Sequence, residues 1–156
     1  MNKKINQSHE TLKPFISVII PFYDRKDLLL ETLKSFEKQT NKNFEIILID
    51  DGSLNSKIKD LNFSKNLQIT YFRQENLERG AARNKGLSLS KGNYINYFDS
   101  DDLAIDNHIQ IIYDSIIKFN EPEIIHLSYK NFNYKNNNYK SYVYEGILNN
   151  KILKKN

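Results

Sequence analysis

The chain has 156 residues, of which 39% are hydrophobic and 27% are charged, and this balance excludes both a disordered tail and a chain without a core. It contains no cysteine, so disulfide scaffolds, thiolate zinc sites and cysteine nucleophiles are excluded together. Lysines near the two ends supply the formal net charge of +4, and only four of the 23 basic residues are arginine, which argues against a nucleic-acid partner.

The N-terminal segment 1–14 is polar and carries basic residues without a following apolar stretch, so it does not have the pattern of a secretory signal. No apolar run in the sequence reaches the ~20 residues that a membrane-spanning helix needs. We therefore expect a cytoplasmic protein without a transmembrane segment, and association with the inner face of a membrane stays open. Residues 1–14 are interpreted as a tail and residues 15–156 as one domain.

Predicted strands and helices alternate along the body of the chain. Short runs rich in β-branched residues predict strands over 16–20, 44–49, 67–72, 94–98 and 124–129. Apolar residues at helical spacing predict helices over 27–39, 55–61, 79–90 and 105–116. Asp27 is predicted to cap the first helix and Gly92 to end the third. This order with short joints predicts an α/β sandwich around a mostly parallel sheet.

The C-terminal part has a different pattern. Aromatic and polar residues alternate over 132–144 around Asn136–Asn138, which predicts a hairpin, and residues 146–156 begin with the pattern of a helix. The three histidines of the chain have no metal-ligand spacing. His108 is expected on a helix surface and His126 in a strand.

Acidic residues follow three predicted strands at the point where each strand ends. Asp24 follows the first strand, Asp50 and Asp51 follow the second, and three acids within 99–102 follow the strand over 94–98. Parallel strands end on one edge of a sheet, and ligands bind outside that edge. Because the carboxylates would repel one another there, a cation is expected to compensate them. Mg²⁺ and Mn²⁺ prefer such oxygen ligands and share their coordination shell with phosphates.

Each of these segments also has a purely structural interpretation. The segment Asp50–Ser53, taken alone, is more typical of a turn with a helix cap. Three acids within 99–102 exceed what a cap requires, which favours a functional site. The segment Arg79–Asn84 fits either an ordinary helix start or a phosphate clamp in which Arg83 supplies the charge. The glycines match neither the dinucleotide fingerprint nor the P-loop.

Four segments together resemble, in order and spacing, the nucleotide-binding half of family-two glycosyltransferases with the GT-A fold. They are SVIIPFYDR at 17–25, IILIDDGS at 46–53, NLERGAARNKGL at 76–87 and YFDSDD at 97–102. The resemblance implies a Rossmann-like three-layer sandwich with a mostly parallel central sheet, incomplete on its C-terminal side. It also implies an inverting transfer from a nucleotide sugar, usually UDP-linked, to a glycan or lipid-linked acceptor in polysaccharide synthesis, with Mn²⁺ or Mg²⁺ on the diphosphate.

The resemblance implies that the nucleotide binds to Pro21, Tyr23, Asp51, Arg83 and Asp99, and the metal to Asp101 and Asp102. In this arrangement the Asp51 carboxylate accepts a hydrogen bond from N3–H of uracil, which explains a preference for uridine. Arg83 approaches the diphosphate. Which acid of the 99–102 segment coordinates the ion stays open.

The general base is not identified from the sequence. The resemblance implies that Asp99 and Asp101 form the D-x-D element of the family, and in the family the base is an acid well beyond this element. None of the acids after Asp102 lies in a matching context; they are Asp106, Asp114, Glu121, Glu123 and Glu145. We therefore expect a fragment that does not transfer sugar by itself. The alternative is a non-catalytic nucleotide-sugar-binding module. A nucleotidyltransferase would need a glycine- and lysine-rich loop after the first strand, where this chain has Pro21–Arg25.

Overall fold

The structure is a computed structural model, and it describes residues 15–54, 65–127, 129–133 and 138–142. The chain divides into two compact units, Met1–Ser115 and Ile116–Asn156. Its elements in chain order are β1 Ile16–Phe22, α1 Lys26–Glu37, β2 Phe44–Asp51, β3 Ile69–Gln74, α2 Glu78–Leu89, β4 Tyr94–Tyr97, α3 His108–Lys118, β5 Tyr129–Asn133 and β6 Asn138–Tyr142. Within these ranges no helix is long and apolar enough to cross a membrane.

The first four strands form a sheet in which every strand runs parallel, in the order β3-β2-β1-β4. Ile19 of β1 lies opposite Ile47 of β2 on one side and opposite Tyr97 of β4 on the other. Both β1 and β2 are buried at every position, which is why their sequences are continuous apolar runs. The chain order reverses between β1 and β4, and this point of an open α/β sheet is where ligands bind.

Helices cover both faces of this sheet. One face packs against α2 through a cluster of apolar side chains, Ile19, Ile47, Ile49 and Ala82. On the other face the ring of Phe36 in α1 contacts Phe44 at 5.9 Å and Phe98 at 5.0 Å between ring centroids. The predicted three-layer α/β sandwich around a parallel sheet is therefore confirmed.

The residues predicted to cap the first helix and to end the third do not have these roles. The residue that precedes α1 is Arg25, without a side-chain cap, and Asp27 lies inside the first turn instead. α2 ends before Ser90, so Gly92 does not terminate it. Gly92 has a packing role, because a Cβ at this position would come within 2.6 Å of the backbone nitrogen of Ser17 in β1.

The second unit contains the predicted hairpin but not the predicted strand before it. β5 and β6 pair antiparallel, with Tyr129 opposite Tyr142, which confirms the hairpin. Residues 124–127 form no strand, so the predictions of a strand over 124–129 and of His126 in a strand are wrong. The Ile124 side chain is 82% exposed, so this apolar run is not a buried one. The helices expected over 55–61 and from 146 onward lie outside the described residues.

His108 begins α3, but it does not lie on the helix surface as predicted. Its ring packs edge-on against Phe98 at 5.4 Å between centroids and also contacts Phe36. Its Nε2 lies 3.0 Å from the side-chain oxygen of Asn96, and burial lowers the pKa of His108. The imidazole therefore belongs to the packing of α3 against α1 and the end of β4.

A buried carboxylate ties the amino ends of β1 and β2 to the turn that follows α2. Glu45 is 1% exposed, and its Oε1 accepts hydrogen bonds from Ser17 Oγ and from the backbone nitrogen of Lys91, both at 2.7 Å. Ser17 Oγ in turn accepts a hydrogen bond from the backbone nitrogen of Gly92 at 2.8 Å. This network fixes the end of the sheet that is opposite to the acidic residues at the carboxyl ends of β1, β2 and β4.

Substituting Glu45→Ala is expected to destabilise the protein by about 2–3 kcal/mol, because two donors lose a buried acceptor and an unsatisfied buried group costs ~1–3 kcal/mol. Chemical unfolding in urea measures the change in the free energy of unfolding. The matched control is Glu31→Ala, which removes an exposed glutamate of α1 and should change the free energy of unfolding by less than about 0.5 kcal/mol. Equal effects of the two substitutions would contradict a structural role for Glu45.

Candidate functional site

A cleft of about 230 Å³ opens at the carboxyl ends of β1, β2 and β4. It is lined by Pro21, Phe22, Tyr23, Arg25, Asp51, Asn76, Glu78, Arg79, Asp99, Ser100 and Asp101. The cleft therefore lies at the point where the strand order reverses, which is the usual ligand position in this architecture.

The structure brings most of the predicted site residues together in this cleft. The predicted residues that line it are Pro21, Tyr23, Asp51, Asp99 and Asp101. Arg83 pairs with Asp99, and Asp102 belongs to the same acidic loop, residues 99–102, but neither Arg83 nor Asp102 is among the lining residues. Of the six carboxylates expected on this edge, three line the cleft, and these are Asp51, Asp99 and Asp101.

Asp51 is the last residue of β2, and its carboxylate is held in one orientation. Its Oδ1 accepts a hydrogen bond from Gln74 Nε2 at 2.8 Å and another from the backbone nitrogen of Leu77 at 3.0 Å. The next residue, Gly52, has φ +85°, and a Cβ there would approach the backbone nitrogen of Asn76 to 2.7 Å. Glycine is therefore needed at this turn, because a side chain would disturb both the backbone conformation and the wall of the cleft.

Asp50 is fully buried and supports the turn after β2 instead of lining the cleft. Its Oδ1 accepts a hydrogen bond from the backbone nitrogen of Ser53 at 2.8 Å. Its Oδ2 lies 3.1 Å from the Tyr71 hydroxyl and 3.5 Å from Arg73 Nη1. Burial and the nearby Asp50 charge raise the pKa of Tyr71 to about 12, so the phenol keeps its proton and donates a hydrogen bond to Asp50.

Two arginines, one in the turn before α1 and one in α2, pair with the acids that follow β4. Asp101 Oδ2 lies 2.5 Å from Arg25 Nη1, and Asp99 Oδ1 lies 2.9 Å from Arg83 Nη2. The Arg83 guanidinium also lies 5.9 Å from the ring centroid of Tyr97. In this structure Arg83 therefore orients Asp99, a contact that the sequence interpretation did not include.

The acidic loop offers carboxylate oxygens, which are the ligands that a hard divalent cation prefers. Partial burial, together with the negative charges of Asp99 and Asp101, raises the pKa of Asp102. Across the described ranges, no three acidic or histidine side chains come together closely enough to hold a metal ion by themselves. Carboxylates of this kind fit an ion that also takes ligands from substrate phosphates, which is the usual mode for Mg²⁺.

Polar side chains on the buried side of α1 and just after its end hold the backbone of the acidic loop, residues 99–102, and of the segment after it. They are Thr32 and Ser35 of α1 and Gln39, which follows the helix. Thr32 Oγ1 lies within 3.0 Å of the carbonyl oxygen of Ser100. Gln39 Nε2 donates to the carbonyl of Ile105 at 2.6 Å, and Gln39 Oε1 accepts from the backbone nitrogen of Ile109 at 2.9 Å. Sequence reasoning missed these residues, although polar side chains among the apolar positions of a helix were a signal.

Three cleft residues lie at or just before the start of α2, and these are Asn76, Glu78 and Arg79. Arg79 opens the segment that the sequence offered as a possible phosphate clamp, whereas Asn76 and Glu78 were not picked out as site residues. Glu78 has φ +72°, in the left-handed region that costs energy for any residue except glycine. Strained backbone of this kind tends to occur at functional sites. Nothing in the sequence marks Glu78 for this conformation, because it depends on how the segment after β3 meets the helix.

Comparisons with known proteins agree with this arrangement. The profile of glycosyl transferase family 2 matches residues 17–155. The chain is 42% identical over 123 residues to an uncharacterized glycosyltransferase of Rickettsia conorii, and the aligned segment covers 76% of this chain and 20% of that protein. It is 37% identical over 119 residues to the UDP-Glc:alpha-D-GlcNAc-diphosphoundecaprenol beta-1,3-glucosyltransferase WfaP of Escherichia coli, which covers 75% of this chain and 45% of WfaP.

A solved structure shares the fold. S. aureus TarS 1–349 in complex with UDP-GlcNAc matches with a TM-score of 0.61 and 26% identity, over 66% of this chain and 31% of that chain. The chain thus spans less than half the length of each of these three relatives. Since the family profile covers most of the sequence and the structural neighbours have the GT-A fold, the chain belongs to glycosyl transferase family 2.

Proposed function

We propose that this chain binds the donor in a metal-dependent, inverting glycosyltransferase that uses a UDP-sugar in glycan or polysaccharide synthesis. The observation that carries the proposal is the convergence of Asp51, Asp99 and Asp101 in one cleft at the reversal point of the sheet. Two relatives support the donor class. WfaP is named for UDP-Glc, and TarS is solved with UDP and with UDP-GlcNAc.

Asp51 is the residue that we propose to recognise the base. Gln74 and Leu77 both donate to Oδ1, and these two contacts leave Oδ2 as an acceptor at the cleft wall. Uracil has an imide N3–H that donates to such an oxygen, whereas adenine has no donor at the corresponding ring nitrogen. Pro21 and Tyr23 form the neighbouring part of the wall.

The charged residues of the cleft suit the rest of the donor. We propose that Asp99 accepts a hydrogen bond from a ribose hydroxyl and that Asp101 and Asp102 hold Mn²⁺ or Mg²⁺. When bound, such an ion stabilises the negative charge that develops on the departing diphosphate. Arg25 and Arg79, which line the same cleft, supply charge-assisted donors for phosphate oxygens.

The acceptor side is part of the same proposal. WfaP is named for a lipid-linked acceptor, and we propose a glycan or lipid-linked acceptor at the cytoplasmic face of a membrane for the protein to which this donor site belongs. In an inverting transfer the acceptor hydroxyl attacks the sugar carbon opposite the departing diphosphate and needs a general base. We assign this role to no residue of the chain.

Calorimetric titration with UDP, UDP-Glc, UDP-GlcNAc, GDP and ADP, each with Mn²⁺ and with a chelator, tests the proposal. We expect the three uridine nucleotides to bind in the presence of Mn²⁺ at least about tenfold more tightly than ADP, because adenine lacks the ring N–H and one hydrogen bond to a charged group contributes ~1.5–3 kcal/mol. Guanine has a ring N–H donor, so GDP tests whether the site distinguishes a purine from uracil by size. Chelation should weaken this binding. Binding of no nucleotide, or equal binding of all five, would contradict the proposed donor site.

A further inference from the structure

An ion pair joins the two loops that flank the reversal point of the sheet. Arg25 follows β1 and precedes α1, whereas Asp101 follows β4, so 76 positions of sequence separate them. Arg25 Nη1 lies 2.5 Å from Asp101 Oδ2, and both residues line the cleft. The pair therefore lies inside the cleft, at the position to which the proposed function assigns the metal and the diphosphate.

The pair is not needed to hold the acidic loop in place. The two side chains are 49% and 42% exposed, and ion pairs with this exposure contribute only ~0–1 kcal/mol to stability. The backbone of the loop is already held by Thr32 of α1, whose hydroxyl lies 2.8 Å from the carbonyl oxygen of Asp102. An exposed pair of low energetic value is easily exchanged for other partners.

The local charge explains why an arginine is present. Asp99, Asp101 and Asp102 lie within one turn of chain, and each of the first two has an arginine partner, Arg83 for Asp99 and Arg25 for Asp101. The Arg25 contact is the more open one, since the side chain of Arg83 is only 35% exposed. Among the described residues, Arg25 is thus the cation that neutralises Asp101 before any ligand arrives.

We infer that Arg25 is an exchangeable counter-ion: on donor binding Asp101 gives up Arg25 for a divalent cation, and Arg25 turns to the diphosphate. The inference rests on the proposed function. It gives Arg25 two effects of opposite sign, because this arginine competes with the cation for Asp101 but binds the phosphates once it is released. The cation and the diphosphate should therefore strengthen each other's binding, with the coupling carried by one side chain.

The test compares Arg25→Gln with the matched control Lys26→Gln. Lys26 is the next residue in the chain and carries the same charge, but it does not line the cleft. Mn²⁺ alone should bind Arg25→Gln about two- to fivefold more tightly than the unmodified chain, which corresponds to the loss of a competing exposed ion pair. UDP in saturating Mn²⁺ should bind about tenfold more weakly, because a charge-assisted contact to phosphate is lost. Arg25→Lys should restore part of the UDP affinity.

A second comparison breaks the pair from the other side. In the presence of a chelator, Asp101→Asn releases Arg25 and should bind UDP about two- to fivefold more tightly than the unmodified chain. The double variant Arg25→Gln with Asp101→Asn should lose this gain. A double-mutant cycle of this kind isolates the contribution of Arg25 from the simple loss of a negative charge.

The outcomes separate the inference from the proposed function. If the unmodified chain binds no UDP with Mn²⁺, the proposed function fails and the exchange fails with it. If the unmodified chain binds UDP and Mn²⁺ but Arg25→Gln behaves like Lys26→Gln, only the exchange is overturned. An equal gain from Asp101→Asn with and without Arg25 would also overturn it. Thermal unfolding of each variant checks that the fold is retained.

Discussion

Replacing Asp101 and Asp102 together by asparagine is expected to weaken Mn²⁺-dependent UDP binding about a hundredfold or more. Both changes convert a charged oxygen ligand into a neutral amide, and each contact to a charged group contributes ~1.5–3 kcal/mol. Hard divalent cations depend on carboxylate ligands of this kind. The expected loss therefore concerns the metal-dependent part of the affinity, and binding measured in a chelator should change far less.

The same double substitution should leave the fold intact or make it more stable. Thr32 contacts the main-chain carbonyls of Ser100 and Asp102, so the anchoring of the loop does not use the replaced side chains. The pKa of Asp102 is raised by partial burial, with Asp99 and Asp101 adding to the effect. An acid whose folded-state pKa is raised destabilises the fold when it is ionised. The stability advantage of the variant should therefore be present at neutral pH.

This advantage should disappear as the pH falls. As the pH falls through the raised pKa of Asp102, the folded wild-type protein takes up a proton at this carboxylate. Below 3.8, the pKa of Asp102 in the unfolded chain, both states are protonated and the penalty is gone. Thermal unfolding at neutral and at acidic pH measures the effect, and calorimetry with UDP and Mn²⁺ measures binding. Asp106→Asn, an exposed acid that does not line the cleft, is the matched control. If the double variant binds UDP with Mn²⁺ as tightly as the control, the assignment of the metal site is wrong.

The parallel sheet and its acidic edge were predictable because they depend on features that the sequence shows directly. Continuous β-branched runs indicate strands buried on both faces, and β1 and β2 are buried throughout. Parallel strands must end on a common edge, so the sequence alone predicts that Asp51, Asp99 and Asp101 lie together. The placement of these acids in one cleft confirms that topology alone was sufficient here.

The remaining features depend on three-dimensional contacts that no local pattern encodes. Asp50 and Asp51 are neighbours in sequence, but alternation along β2 sends one to Tyr71 and the other to the cleft. The left-handed conformation of Glu78 arises where the segment after β3 meets α2. The apolar run at 124–127 looked like a strand, yet Ile124 is largely exposed, since hydrophobicity without a sheet neighbour does not make a strand.

The exchange of partners by Arg25 and the role of Asp51 concern different ends of the same donor. In the proposed donor site Arg25 and Asp101 are assigned to the phosphate end, whereas Asp51, at the end of β2 against Gln74 and Leu77, is assigned to the base. A variant at Arg25 should therefore change the contribution of the phosphates to the affinity, and a variant at Asp51 should change the contribution of the base. Comparing nucleotides that differ only in the base, or only in the number of phosphates, separates the two contributions.

Asp51→Ala is expected to weaken UDP binding about ten- to a hundredfold, because the loss of a hydrogen bond in a buried site costs ~1–3 kcal/mol. ADP, which lacks the uracil imide, should lose much less affinity. Asp51→Asn is the sharper variant, because it keeps the size of the side chain. Its amide must direct its oxygen toward Gln74 and Leu77, which leaves an NH₂ group facing the N3–H donor of uracil. We therefore expect Asp51→Asn to bind UDP as weakly as Asp51→Ala.

Gln74→Leu extends this prediction to the residue that orients Asp51. It removes the 2.8 Å hydrogen bond to Oδ1 but leaves the bond from the Leu77 backbone nitrogen, so the carboxylate keeps its charge and gains rotational freedom. UDP affinity should fall about two- to tenfold, less than for Asp51→Ala, since a net hydrogen bond contributes ~0.5–1.5 kcal/mol. ADP affinity should not change, because adenine does not use this oxygen. Calorimetric titration of each variant with UDP and ADP in Mn²⁺ gives the ratio that decides the matter, and an equal loss for both nucleotides would show that Asp51 does not read the base.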